Sequence, residues 1–199
     1  MDKQIITLQR FFKVICEDTD LNQEGIDQAK LAAEKLKDYP FDAFYSSDLK
    51  RCRDTANTIH KSLTKQVDIQ FSSNLRERNM GEIEGMKISD AVEKAAKDGK
   101  ESYREYGEKP IDLVNRVKKQ LDEILELNKQ NKNIIICSHG GTIRTILKIL
   151  GFKENLIVYN TSITTVDFNH NDFNDFKIVT VSDTKHLGGD FKVADTRVR

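Results

Sequence analysis

Apolar residues recur at helical spacing in several stretches of the chain and cluster at strand density between them. In LNQEGIDQAKLAAEKLKDY (residues 21–39), Ile26, Ala29, Ala33 and Leu36 fall on one face. Asn22 is placed to cap the start, and Pro40 ends the run. FDAFYSS follows as a short aromatic strand running into Ser46, Ser47 and Asp48, residue types that cap helices well. Residues 49–63 then repeat the helical pattern, with Leu49, Cys52, Ala56, Ile59 and Leu63 on one face. QVDIQFSSNL is a second strand, leading into the polar loop LRERNMGEIEG. The clearest amphipathic helix covers 111–128, its stripe formed by Leu113, Val114, Val117, Leu121, Ile124 and Leu125.

IIIC (134–137) is a short unbroken apolar run, as expected of a strand covered on both faces. It enters a Ser-His-Gly-Gly turn and another helical pattern. IVYNTSITTVDF and DFKIVTVSDT close the chain as strands, with a turn at NHND between them. Strands alternating with helices predict an α/β domain with a largely parallel sheet. Ligands of open sheets of this kind bind beyond the carboxyl ends of the strands. Three polar clusters fall at such ends: SSDLKR, LRER and CSHGG.

Each cluster carries residues suited to an anion. Arg51 offers a planar fork of donors that fits phosphate or carboxylate. Glu77 beside arginines is a candidate proton donor in a pocket that keeps it protonated. His139 could hydrogen-bond a phosphoryl oxygen. Gly140 and Gly141 would let backbone N–H groups approach closely, at the positive end of the following helix. Plainer readings stand beside these. An arginine on a charged helix is commonly just solvated, and a glutamate among four other charges is commonly just surface. His60 lies mid-helix and His170 in a polar turn, positions that suggest structural or solvated roles; His186 is unassigned.

The 199 residues suffice for one domain with a substantial core. Lys+Arg and Asp+Glu both number 32, a balance that argues against a nucleic-acid partner. Cys16, Cys52 and Cys137 show no metal-ligand spacing and no disulfide framework, which points to a reducing, cytoplasmic setting without a bound metal or cofactor. No apolar run has the length of a signal peptide or a membrane span.

Taken together, the clusters resemble the histidine phosphatase superfamily, the phosphoglycerate-mutase-like proteins. DTDLNQEGIDQA is similar to the family's Asp-x-x-Leu-Thr-x-x-Gly-x-x-Gln-Ala helix start, through Asp18, Leu21, Gly25, Gln28 and Ala29. SSDLKRCRDTA resembles its Ser-Ser-x-Leu-x-Arg-Ala-x-x-Thr-Ala element, and LRERNMGEIEG its Leu-Arg-Glu-x-x-x-Gly-x-x-Glu-Gly loop. CSHGGTIR resembles the second-histidine motif, and NTSIT a late strand beside the pocket, with Ser162 as its small polar residue. The resemblance covers roughly residues 18–199. It implies a three-layer α/β sandwich with a mostly parallel central sheet and helices on both faces, in a single domain over 1–199. It also implies phosphatase chemistry on a small phosphorylated metabolite. Arg51, His139 and Gly140 would be phosphate-binding, and Glu77 and His139 catalytic.

One part of the family pattern is missing. Such enzymes attack phosphorus with the histidine of an Arg-His-Gly motif at the end of the first strand, forming a phosphohistidine. Only 17 residues precede Asp18, and none is a histidine. QIITLQRFF supplies Ile5, Ile6, Leu8, Phe11 and Phe12, the right residue types to fill the first-strand position. Arg10 would then stand where the motif's arginine stands and join the phosphate-binding set, with the loop after it shortened. Loss of a nucleophile leaves only residual catalysis, so hydrolysis is expected to be impaired. Three origins are open: an incomplete or alternative N-terminus, a pseudoenzyme that binds phosphate ligands, or a different chemistry. A mutase-type phosphotransferase is the other family reading. A cysteine phosphatase fits less well, because six residues rather than five separate Cys137 from Arg144. A serine hydrolase would need glycine at 136, where the chain has isoleucine.

Overall fold

The computed structural model describes residues 3–8 by their backbone, and 18–169 and 171–189 in full. In chain order the elements are β1 (Lys3–Leu8), α1 (Gln23–Leu36), β2 (Ala43–Ser47), α2 (Lys50–Ser62), β3 (Ile69–Ser72), α3 (Ile88–Lys97), α4 (Pro110–Leu127), β4 (Asn133–Cys137), α5 (Gly140–Ile149), β5 (Ile163–Asn169) and β6 (Asp172–Asp183). The strands form one sheet in the order β3-β2-β4-β1-β5-β6. The first four run parallel, whereas β5 pairs antiparallel with both β1 and β6. The fold is α/β with a mostly parallel central sheet flanked by helices, as the sequence pattern predicts.

Strand β4 shows why the layers form. Its side chains alternate between two cores: Ile134 and Ile136 pack with Leu113, Val117, Leu121 and Ile124 of α4 and Ile146 of α5, while Ile135 and Cys137 pack with Ala32 and Ala33 of α1 and Ala56 and Ile59 of α2. Both faces of the strand are therefore apolar, and the period-2 geometry sends successive residues to opposite layers. Strand β1 fills the slot between β4 and β5, with Leu8 in register with Cys137 on one side and Ile163 on the other. The expected replacement of the first strand by the IITL stretch agrees with this position. Arg10, Phe11 and Phe12 lie outside the described residues, as do Cys16 and His170.

Residues 86–110, to which the apolar pattern assigns no element, contain α3 and a 3-10 turn at Tyr103–Glu105. Two local expectations need correction. The strand expected from residue 157 begins only at Ile163, because Thr161 adopts φ 51 and the Ser162 N–H turns back to the Tyr159 carbonyl. Helix α2 is not capped by the serines or the aspartate before it. Its N-cap is Leu49, which has no side-chain cap, and the N–H of Lys50 instead donates to Asp18 Oδ1 at 2.7 Å, a partner 32 residues upstream. By contrast Asn22 caps α1 as expected, accepting from the Gly25 N–H at 3.0 Å. Among the described residues, no helix is long and apolar enough to cross a membrane.

Candidate functional site

The start of α2 and the loop after β3 line one cleft of about 440 Å³, and the turn that follows β4 packs behind that wall. Asp18, Arg51, Arg76, Glu77, Arg78, Glu108 and Arg116 are among its walls. The sequence clusters at these strand ends are thus brought together, and the turn of residues 138–142 binds the loop 75–77 residue by residue. Ser138 Oγ donates to the Leu75 carbonyl, Thr142 Oγ1 to the Arg76 carbonyl, and the Gly141 N–H to Glu77 Oε2, each at 2.8 Å. Ser138 is therefore an anchor: its hydroxyl proton is committed to a buried backbone carbonyl, where a hydrolase nucleophile would give it to a base.

His139 is 1% exposed and reaches the cleft through Arg51. Its Nδ1 lies 3.2 Å from Arg51 Nη2, and its Nε2 lies 2.8 Å from Ser47 Oγ. A guanidinium can only donate, so Nδ1 must be the acceptor and Nε2 must carry the proton, which it gives to Ser47. Burial, then the charges of Arg51 and Arg116, push the imidazole well below its ordinary pKa, so the ring is neutral. Both nitrogens are engaged, and the ring works as a strut that aims Arg51. Arg51 is itself 2% exposed, yet it forms part of the cleft wall.

Glu77 is held by two backbone donors. The Arg78 N–H donates to Oε1 at 3.0 Å and the Gly141 N–H to Oε2 at 2.8 Å. Each oxygen keeps a lone pair that these bonds do not use, so a proton can be exchanged with a ligand without breaking either contact. The close approach at the glycine pair therefore serves Glu77: the Gly141 N–H at the start of α5 is already committed to this carboxyl. Gly140 is buried in the same helix start.

The sequence reading missed the residues that fix the loop. Arg116, on α4, makes a two-pronged contact with Glu108 at 2.6 and 2.9 Å. Its guanidinium also donates to the carbonyls of Asn74, Arg76 and Glu77 at 2.8, 3.0 and 3.2 Å. Arg78 clasps the carbonyls of Arg104, Tyr106 and Glu108. Arg76 forms a bidentate pair with Asp48, whose carboxyl it holds below the usual carboxylate range. In sequence Arg116 precedes Lys118 and Lys119 on a charged helix, so nothing distinguishes it from solvated neighbours. Ser162 is buried, and its hydroxyl lacks a hydrogen-bond partner among the described residues.

The family model described as the histidine phosphatase superfamily (branch 1) matches residues 10–184. The chain belongs to the histidine phosphatase superfamily. A broad-specificity phosphatase of Saccharomyces cerevisiae is 41% identical over 193 residues, covering 92% of this chain and 84% of that protein. A metal-independent phosphoserine phosphatase of Arabidopsis thaliana is 31% identical, covering 75% of this chain and 66% of that protein. The crystal structure of a phosphoglycerate mutase from Bacillus anthracis superposes with a TM-score of 0.79 at 25% identity, covering 94% of this chain and 95% of that one. Members of the superfamily thus act as phosphatases and mutases, and the sheet and helices described above have the phosphoglycerate-mutase-like architecture.

Proposed function

We propose that this chain binds small phosphate monoesters in the cleft beside Arg51, and that its hydrolysis of them is impaired for want of a nucleophilic histidine. The observation that carries the reading is the Arg51–His139–Ser47 relay: a buried guanidinium on a cleft wall, held at 3.2 Å by a neutral imidazole that is itself held at 2.8 Å. A guanidinium fixed in this way is preorganised for two oxygens of a phosphoryl group. Glu77 is the candidate acid that would protonate the leaving alkoxide, and Gly140 and Arg10 are candidates for the phosphate-binding set.

The nucleophile is the weak link. His139 has both ring nitrogens engaged, and Arg10 is followed by Phe11 and Phe12 where Arg-His-Gly would carry histidine and glycine. The same observation favours a second reading, a phosphate-ligand-binding protein without turnover. Hydrolysis is preferred over phosphoryl transfer between metabolites, since Glu77 to His139 is a compact segment without a large insertion. The family match spans most of residues 1–199, in keeping with a single domain, and a cytoplasmic location suits the reduced cysteines.

The test is to titrate the chain with inorganic phosphate by calorimetry and to assay it against an aryl phosphate, alongside Arg51→Gln and the double variant Phe11→His/Phe12→Gly. Phosphate binding should weaken at least about tenfold in Arg51→Gln, the scale of one charge-assisted contact. The unaltered chain should turn over at a rate roughly 10³-fold or more below that of the histidine-restored variant. Robust hydrolysis by the unaltered chain, lost in Cys137→Ser, would replace this reading with a cysteine mechanism. Phosphate binding with no turnover in either form would leave the binding protein.

A further inference from the structure

Behind the cleft, two thiols touch. Cys52 lies on α2 directly after Arg51, and Cys137 ends β4 two residues before His139. Their sulfurs are 3.4 Å apart, and the residues are 3% and 1% exposed. Ser46 Oγ stands 3.6 Å from Cys52 Sγ, and the carbonyls of Ser138 and Cys52 accept from the pair at 3.8 Å. A buried cysteine is ordinarily an inert small hydrophobe. This pair differs in being in direct contact and in flanking both members of the Arg51–His139 contact. Burial pushes the Cys52 thiol up, but hydrogen bonds from Cys137 and Ser46 and the charge of Arg51 outweigh it, so Cys52 is the more acidic partner. Its hydrogen bond to Cys52, then burial, raise Cys137.

We propose that Cys52 and Cys137 close a reversible disulfide on exposure to a hydroperoxide, and that closure shifts Arg51 off the imidazole of His139. The Cys52 thiolate attacks the distal peroxide oxygen, the O–O bond breaks, and the sulfur becomes a sulfenic acid as the leaving oxygen takes a proton. The sulfur of Cys137 then attacks the sulfenic sulfur, and hydroxide leaves as water with the Cys137 proton. With hydrogen peroxide the balance is two thiols and one peroxide giving one disulfide and two waters; a dithiol reductant reverses the link by exchange.

The geometry fixes which element moves. A disulfide holds its sulfurs about 2.05 Å apart, so the pair must close by roughly 1.3 Å. Strand β4 is hydrogen-bonded along both edges, to β2 and to β1, whereas the start of α2 is tied down by the single bonds of the Leu49 and Lys50 N–H groups to the side chains of Ser47 and Asp18, and by side-chain packing. The start of α2 therefore yields and carries Arg51 with it. A misplacement of about 1 Å commonly costs up to about 10²-fold in a preorganised site. The effect on phosphate rests on the binding role proposed for Arg51; the disulfide and the shift at His139 do not.

The experiment uses the full chain carrying Cys16→Ser, so that only the pair can react. After hydrogen peroxide and alkylation, mass spectrometry should show the loss of two hydrogens and a linked peptide containing Cys52 and Cys137, both reversed by dithiothreitol. The ring nitrogen resonances of His139 should move on oxidation. Inorganic phosphate should bind at least about tenfold more weakly in the oxidised form and recover on reduction. In Cys52→Ser or Cys137→Ser chains, peroxide should give no linked peptide and no dithiothreitol-reversible loss of two hydrogens. Thiols that stay alkylatable after peroxide, a sulfinic acid at Cys52 with no link, or a linked chain with unmoved His139 resonances would each overturn the proposal. Failure of the reduced chain to bind phosphate would count against the pocket reading alone, because the linked peptide and the His139 resonances still decide the switch.

Discussion

The carboxyl group of Glu77 occupies the space that a side chain at Gly141 would need. A Cβ built on Gly141 would fall 2.2 Å from Glu77 Oε1 and 2.9 Å from Cδ, while the Gly141 N–H donates to Oε2 at 2.8 Å. Sequence and geometry meet here: the second glycine of SHGG lets the acid candidate rest against the start of α5.

Gly141→Ala should therefore disturb the site and spare the fold. The clashing atoms are the far end of a flexible side chain, which can swing away. The hydrogen bond so lost is worth about 0.5–1.5 kcal/mol, offset by roughly 1 kcal/mol of gained helix propensity. Urea unfolding should place the variant within about 2 kcal/mol of the unaltered chain. The carboxyl carbon resonance of Glu77 should shift markedly; an unmoved resonance would mean that Glu77 does not rest on Gly141.

Gly107→Ala should do the opposite. Gly107 has φ 68, and its added Cβ would lie 2.2 Å from the Asn79 carbonyl oxygen and 2.5 Å from Met80 C. These are backbone atoms pinned by the Glu108 N–H bond to Asn79, so neither side can step aside. Left-handed strain of about 1–2 kcal/mol adds to the clash, and a total of about 3–5 kcal/mol is expected. Chemical denaturation measures it, and a loss below about 1 kcal/mol would show that the two loops part easily.

These loops mark the boundary of what the sequence could say. The strand ends that carry Arg51, Glu77 and His139 were legible because turn residues interrupt strong apolar periodicity there. Helix α3 was not, because its buried stripe is only Ala91 and Ala95, small residues that leave Ile88 and Val92 exposed. Arg116, Arg78 and Asp18 were illegible as positioning groups for another reason. Their partners are mostly backbone groups far along the chain, and no local pattern encodes such a contact.

His139 should make stability fall in mild acid. Its folded pKa is lowered by burial and by Arg51 and Arg116, so the folded ring stays neutral as the pH drops. In the unfolded chain the same ring takes up a proton below about 6.5. This contribution is whole above that value and declines at about 1.4 kcal/mol per pH unit below it, until the lowered folded pKa is reached. His186 is also lowered, chiefly by burial, and adds a contribution of the same sign. Urea unfolding between pH 7 and 5 should show a slope that shrinks in His139→Gln and, separately, in His186→Asn. A slope unchanged by His139→Gln would mean that the ring protonates freely in the fold.

Arg116 and Glu108 should be coupled beyond the range of a surface ion pair. Their side chains are 21% and 15% exposed, and the contact is two-pronged. Exposed pairs are typically worth about 0.2–1 kcal/mol. Here the remaining donors of Arg116 hold the carbonyls of residues 74, 76 and 77, so Glu108 orients a guanidinium that in turn holds the Glu77 backbone. A double-mutant cycle with Arg116→Met and Glu108→Gln should give a coupling of about 1–3 kcal/mol. Arg116→Lys should recover little of it, since an ammonium cannot reproduce the planar fork. The Glu77 carboxyl resonance, followed in the same variants, should broaden or move in Arg116→Met and respond more weakly in Glu108→Gln. Coupling near zero with that resonance unchanged would reduce Arg116 to a solvated charge beside the cleft.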